Sequence, residues 1–265
     1  MTILDEIMKA KALEVAQMKS VTPSAVLHAQ IEALPTPHSA RKAFLASPRE
    51  GLKSHILSEV KEASPSKGIL VPGLDGVALA KEYEQAGATA ISVLTDQKYF
   101  KGSYERLEAI RPHVSVPILA KEFISDPWQI ERARVAGADF ILLIVAALNP
   151  AQLATLVGFA HKLKMEVLIE VHDEHELTVA LEAGGDLIGV NNRDLKTFST
   201  SIDNSLRLAP LMPRGTVTLS ESGIRTREDI VSLERAGFHG FLIGEGLVTS
   251  SNPGNKLGEL GGLPT

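Results

Sequence analysis

Short apolar runs without polar alternation recur along the chain, each just after a glycine. They are Ala86-Gly87-Ala88-Thr89-Ala90-Ile91-Ser92-Val93, Ala136-Gly137-Ala138-Asp139-Phe140-Ile141-Leu142-Leu143, Ala183-Gly184-Gly185-Asp186-Leu187-Ile188-Gly189-Val190 and Ala236-Gly237-Phe238-His239-Gly240-Phe241-Leu242-Ile243. Glycine to glycine, they lie 50, 47 and 53 residues apart. Each reads as a helix closed by glycine, where left-handed backbone costs little, and then a strand. A strand lacking polar alternation is covered on both faces, as in a parallel sheet. Four more strand candidates lie between these units: Ile56 to Lys61, Pro117 to Glu122, Val167 to Val171 and Val217 to Glu221.

Helix starts are marked as well. Asp126-Pro127 and Asn149-Pro150 place a capping side chain before a proline at the first helical position. Asp173 with Glu176, and Thr226 with Asp229, resemble capping boxes. Eight βα units in roughly 210 residues predict an α/β fold, a (β/α)8 or TIM barrel. The rival, a doubly wound open sheet, would want G-x-G-x-x-G after its first strand, and that motif does not occur there. Ile3, Leu4, Ile7, Met8 and Val15 sit at helical spacing ahead of the repeat. Residues 1–48 are therefore expected to be an N-terminal helical extension, with 49–265 as the barrel, in a single domain. Spacing leaves open whether that helix covers the barrel mouth or closes its bottom.

Composition narrows the function. The chain has 265 residues, 44% of them hydrophobic, and a formal net charge of −5. Lys and Arg do not cluster, so no nucleic-acid surface is expected. There is no cysteine, which excludes disulfides, zinc-thiolate sites and cysteine nucleophiles and fits a cytoplasmic location. The longest apolar run, Phe140 to Leu148, is far short of the ~20 residues that span a bilayer, and the N-terminus lacks the apolar stretch of a signal peptide.

The candidate chemistry lies at the strand ends, which face the active site in a barrel of this kind. Positions expected to be aliphatic carry charge: Glu59 and Lys61 on the first strand, Lys121 and Glu122 on the third, and Glu170 on the fifth. The sixth carries Asn191 and Arg193, and the seventh Glu221 and Ser222. Period 2 points Glu59 and Lys61 the same way and separates Lys121 from Glu122, so Glu122 is expected to face outward or along the rim. Gly223 and Gly244-Glu245 follow strands seven and eight, where barrels bind phosphate through backbone N–H groups; two ordinary tight turns are the alternative. A third contributor to that site is Ser64 to Gly68. His172-Asp173-Glu174-His175 has metal-like spacing, but Asp173 and Glu176 already read as helix-start residues and no remote ligand is evident, so no metal site is expected.

These strand ends resemble the signatures of the indole-3-glycerol phosphate synthases. The matching stretches are Glu59 to Gly68, Ser92 to Asp96 with Phe100 to Ser103, Lys121 to Ile124 with Asp126 to Ile130, Glu170 to His172, Gly189 to Leu195 and Ser220 to Ile224. The resemblance implies a carboxy-lyase of tryptophan biosynthesis that closes an indole ring by acid–base chemistry without metal or organic cofactor. It assigns the ketone-protonating acid to Lys121, the second acid to Lys61 and the base to Glu170. Glu59 and Asn191 would hold sugar hydroxyls and the acid network, with Glu221 and Ser222 also in the catalytic set. Arg193, assisted by Ser64, would hold the anthranilate carboxylate. Phe123, Leu195 and Ile224 would wall the ring, and Gly223, Gly244 and the backbone of Glu245 would hold phosphate. The expected partner is a small sugar-phosphate substrate, with neither nucleic acid nor membrane, and the chain is expected to be a monomer or weak homo-oligomer. The flanks of Lys121 depart from the family, with Ala120 and Glu122 where arginine and aspartate are usual. Four glycines between Asn252 and Gly262 predict a short or frayed last helix. A Schiff-base aldolase on the same fold is the rival enzyme class.

Overall fold

The computed structural model describes residues 2–194 and 197–263. Among them, eight strands close into a barrel: β1 (His55–Val60), β2 (Ala90–Leu94), β3 (Ile118–Lys121), β4 (Phe140–Ile144), β5 (Glu166–Val171), β6 (Leu187–Asn191), β7 (Val217–Glu221) and β8 (Gly240–Ile243). Each pairs in parallel with its sequence neighbours, and β8 pairs with β1, His55 opposite Gly240. Closure rules out the open sheet. The glycine reading holds at all four repeats: Gly87, Gly137, Gly184 and Gly237 have φ of 100°, 95°, 77° and 104°.

The outer layer consists of α4 (Gly76–Gln85), α6 (Tyr104–Ile110), α7 (Pro127–Val135), α8 (Pro150–Lys162), α9 (Glu174–Ala183), α10 (Asp203–Leu208), α11 (Arg227–Ala236) and α13 (Pro253–Gly261). Asp126, Asn149 and Thr226 form complete capping boxes. Asp173 forms half of one; it accepts from Glu176 N, but the Glu176 carboxylate turns to His172 instead. The glycine-rich last helix is nine residues long, capped by Asn252 and Gly262. Its glycines are packing positions: a Cβ at Gly261 would press on Leu52, and Gly254 N donates to Glu82 at 2.6 Å.

Period 2 divides every barrel strand into an inward and an outward row. Outward Ile56, Ile91, Ile118, Ile141, Ile169 and Ile188 pack against the helices. Inward Leu57, Leu119, Leu168 and Leu219, one from each odd strand, lie in a separate buried cluster at the barrel centre. Alternate strands of a barrel supply four-residue layers of this kind. Two residues along each odd strand stand Glu59, Lys121, Glu170 and Glu221. The site is therefore the next layer of the same stack, with charge replacing leucine.

Both open placements of the N-terminal extension are filled, by different helices. α1 (Ile3–Val21) lies over the mouth, where Ile3, Leu4 and Ile7 face the cavity described below. α3 (Ala40–Leu45) lies at the bottom, where buried Phe44 joins the central cluster and a Cβ at Gly240 would collide with its ring. Between them, α2 (Ser24–Glu32) packs on α7, with Leu27, Val15 and Trp128 in a third apolar cluster.

Candidate active site

The charged layer floors a cavity of about 450 Å³ at the C-terminal end of the strands, within the usual range for small-molecule sites. Glu59, Lys61, Ser64, Lys121, Phe123, Glu170, Asn191, Arg193, Ser222, Gly223, Ile224, Gly244 and Glu245 all line it. Glu221 lies beneath, fully buried, and reaches the cavity through Lys121. Leu195 lies outside the described residues.

Lys121 is the hub of the floor. Its Nζ lies 3.0 Å from Glu221 Oε2 and 3.4 Å from Glu59 Oε1. Burial alone would lower its proton affinity, but Glu221, Glu59 and Glu170 outweigh burial and hold the ammonium above the ordinary lysine value. Lys61 pairs with the other oxygen of Glu59, as the shared orientation of the two residues requires. Burial would raise the Glu59 carboxyl, yet Lys61 and Lys121 prevail and hold it at about 2. Glu221 shows the opposite balance. Burial raises it, Glu170 and Glu59 add to that, and Lys121 only partly compensates, leaving it at about 7. The neighbouring carboxyls thus stand in different charge states near neutral pH, the pattern that separates acid from base roles.

Glu170 is buried on β5, and its Oε1 accepts from Asn191 Nδ2 at 3.0 Å. Asn191 Oδ1 accepts from Arg193 N at 3.0 Å, which fixes the amide so that its NH2 faces Glu170. Two close approaches make room for the floor. A Cβ at Gly244 would collide with the Glu59 carboxylate, and one at Gly189 with Glu221 Oε1. Gly244 thus has a steric reason to be glycine besides its place beside the expected phosphate site.

After β7 the chain makes a tight turn with Ser222 at φ 65° and Gly223 at φ 77°. A non-glycine residue in that region is strained and needs support. Asn192 supplies it, donating from Nδ2 to Ser222 O at 3.0 Å and to Ser220 Oγ at 2.9 Å, while its Oδ1 accepts from Ser205 N and Oγ. Beyond β8, Glu245 opens the four-residue α12 (Glu245–Val248), and its carboxylate faces Lys67 at 3.9 Å. Residues 64 and 68 pair as a two-stranded hairpin at the mouth, with Ser64 Oγ buried and without a hydrogen-bond partner.

Glu122 departs from the expectation of a rim charge. It turns away from Lys121, but the space it enters is buried, 2% exposed. Lys11 of α1 lies 3.1 Å from its Oε1, and Thr95 Oγ1 donates to Oε2 at 2.9 Å. In the His172 to His175 run, His172 pairs with Glu176 and Asp173 caps α9; among the described residues no three His, Asp or Glu side chains are grouped so as to hold a metal ion. Sequence reasoning gave no cavity role to Phe100 of α5 (Gln97–Phe100), whose ring lies 5.9 Å from that of Phe123, nor to Arg225 or Thr200. Phe100 lies within the Phe100 to Ser103 stretch that carries the family resemblance; Arg225 and Thr200 carry no distinguishing sequence signal.

Among solved structures, the fold is similar to 3-hexulose-6-phosphate synthase, with a TM-score of 0.63 at 13% identity over 78% of this chain and 98% of that one. It is similar also to thiamine phosphate pyrophosphorylase from Pyrococcus furiosus, with a TM-score of 0.60 at 14% identity over 84% and 96%. At such identities the likeness concerns the barrel alone. Sequence relatives say more. The indole-3-glycerol phosphate synthase of Carboxydothermus hydrogenoformans is 46% identical over 96% of this chain and 97% of its own. That of a Roseiflexus species is 44% identical over 98% of each, and that of Koribacter versatilis 49% over 85% and 86%. The family model described as indole-3-glycerol phosphate synthase matches residues 4–260. With the match running from α1 to the last helix and across every strand end of the charged floor, the chain belongs to the indole-3-glycerol phosphate synthase family.

Proposed function

We propose that the chain forms indole-3-glycerol phosphate from 1-(2-carboxyphenylamino)-1-deoxyribulose 5-phosphate, in the service of tryptophan biosynthesis, with the charged floor as its acid–base machinery. The carboxyl-bearing aryl carbon attacks the ketone as Lys121 gives a proton to the ketone oxygen. Carbon dioxide then leaves, and Lys61 protonates the hydroxyl that departs as water. Glu170 takes the proton that the new ring loses. Arg193 and Ser64 hold the anthranilate carboxylate, for which a planar fork of donors is suited. Phe123 and Ile224 wall the aromatic ring, with Leu195 as a further wall, and Gly223, Gly244 and the Glu245 backbone receive the phosphate. Glu59, Asn191, Glu221 and Ser222 keep the floor aligned and partly charged. One chain supplies all these groups, so a monomer or weak homo-oligomer in the cytoplasm is the proposed working form.

The observation that carries this reading is Lys121 at the cavity floor between Glu221 and Glu59. Carboxylates on two sides keep the ammonium protonated, which suits a proton donor and opposes an imine former, whose amine must be neutral to attack. The test is a fluorescence assay for indole product with Lys121→Ala. Turnover is expected to fall by at least ~10²-fold, the scale of a lost general acid, with the far-UV circular dichroism unchanged. Full activity in that variant, or covalent trapping of Lys121 by borohydride with substrate, would overturn the assignment.

A further inference from the structure

His172 follows β5 directly and sits behind Glu170, outside the residues that line the cavity. It is held from the far side. Glu176 Oε2 on α9 accepts from His172 N at 2.8 Å and lies 3.0 Å from its Nδ1. A carboxylate only accepts, so Nδ1 carries a hydrogen and the ring is locked in orientation. The other nitrogen, Nε2, then faces Glu170 Oε1 at 3.4 Å, buried and without a hydrogen-bond partner. In the neutral ring that nitrogen would present a lone pair to a carboxylate. In the imidazolium it presents N–H, so the charged ring satisfies both carboxylates at once.

We propose that His172, clamped by Glu176, is a positioning residue that fixes the Oε1 of Glu170, together with Asn191, so that Oε2 is left for the substrate. The inference rests on the reading of Glu170 as the base. Among the described residues, Oε1 has the Asn191 amide on one side and the imidazole on the other, and no hydrogen bond is made to Oε2. Among the described residues, the titratable groups facing His172 are Glu170 on β5, Glu176 on α9 and Glu221 on β7, all acidic. Burial would lower the proton affinity of the ring, but these partners outweigh it and raise it above the ordinary value. Lys121 balances Glu221 and Glu59, whereas among the described residues Glu170 has no cation as close as the imidazole.

Two measurements test this. The first is an NMR titration of the histidine Cε1–H signals, with His172 assigned by its loss in His172→Gln. The His172 midpoint is expected to fall by about one pH unit in Glu170→Gln, the scale of one removed neighbouring charge. An unchanged midpoint overturns the proposal, and this arm needs no folded His172 variant beyond the assignment, which Glu176→Gln supplies equally by moving the same signal. The second is the steady-state kinetics of indole formation by His172→Gln. Without the imidazole, Glu170 loses one of the two contacts that fix its Oε1, so kcat should fall roughly tenfold. KM is expected to stay near that of the parent, because His172 does not line the cavity. If Glu170→Gln is inactive but His172→Gln keeps the parent kcat, the positioning role is wrong while the base stands. If Glu170→Gln turns over normally, the base assignment falls and this inference with it.

Discussion

The Glu221 carboxylate occupies the volume where a Cβ at Gly189 would stand. The two residues lie on adjacent strands, and Glu221 Oε1, buried without a hydrogen-bond partner, fits only because position 189 has no side chain. Its other oxygen is thereby aimed at Lys121, 3.0 Å away. Gly189→Ala should push the carboxylate off the lysine without touching the substrate. Overpacking of this kind costs about 1–3 kcal/mol, so a lower melting temperature is expected. Because the displaced group is the lysine's partner, kcat should fall about tenfold or more while substrate affinity stays close to the parent value. A variant with the parent kcat would show that the Glu221–Lys121 contact does not matter for turnover.

Burial, which outweighs Lys121 at Glu221, has a consequence for stability. A carboxyl raised to about 7 in the folded state, against an ordinary 4.5, makes the folded chain bind more protons than the unfolded chain between those values. Stability from this group therefore falls as pH rises through that window and is flat above it. Glu221→Gln removes the titration. Its melting temperature relative to the parent should improve as pH is raised from about 4.5 to 7 and then level off, read by calorimetry at several pH values. Glu59, held at about 2, titrates below this window and does not mask the trend. A difference that is constant across the window would refute the raised carboxyl.

The strands and helix starts were legible because each rests on residues near in sequence. Gly237 needs only its own helix to adopt left-handed backbone, and Thr226 needs only Asp229. The floor was legible because charge in a period-2 apolar row conflicts with a packed core: Leu57 then Glu59, and Leu219 then Glu221, mark where the core ends. What escaped was set by distant partners. The spacing of Ile3, Leu4 and Ile7 shows that a face of α1 is buried, but not at which end of the barrel. Lys11 lies in the same helix and carries no sequence signal that sets it apart, yet it is 2% exposed, because Asp96 and Glu122 meet it only in the closed barrel. Glu122 escaped for the same reason, since facing away from the mouth does not say whether water or a helix waits there. Glu176 looked like a capping residue, and local pattern could not reveal that its carboxylate holds His172.

Lys11 ties α1 to the barrel mouth. Lys11 Nζ lies 2.9 Å from Asp96 Oδ2, 3.1 Å from Glu122 Oε1 and 3.0 Å from Glu14 Oε2. Burial would lower its proton affinity, but Glu122 and Asp96 raise it instead, so the charge is present. The contact joins α1 to two segments that shape the cavity. Asp96 caps α5, which presents Phe100, and Glu122 accepts from the backbone of Phe123, next to Lys121. Removing the cation strands two buried carboxylates, which costs about 3–5 kcal/mol when a buried pair is broken from one side. Lys11→Met should therefore lower the melting temperature and, by loosening Ile3, Leu4 and Ile7 over the mouth, raise KM more than it lowers kcat. The triple variant K11M/D96N/E122Q leaves only the partly exposed Glu14 without its lysine and should recover much of the lost stability, since a neutral replacement of the buried groups of such a cluster is often tolerated. KM should remain raised in the triple variant if the ion pairs also position α1. If K11M melts like the parent with an unchanged KM, the cluster neither stabilises the fold nor holds the helix over the site.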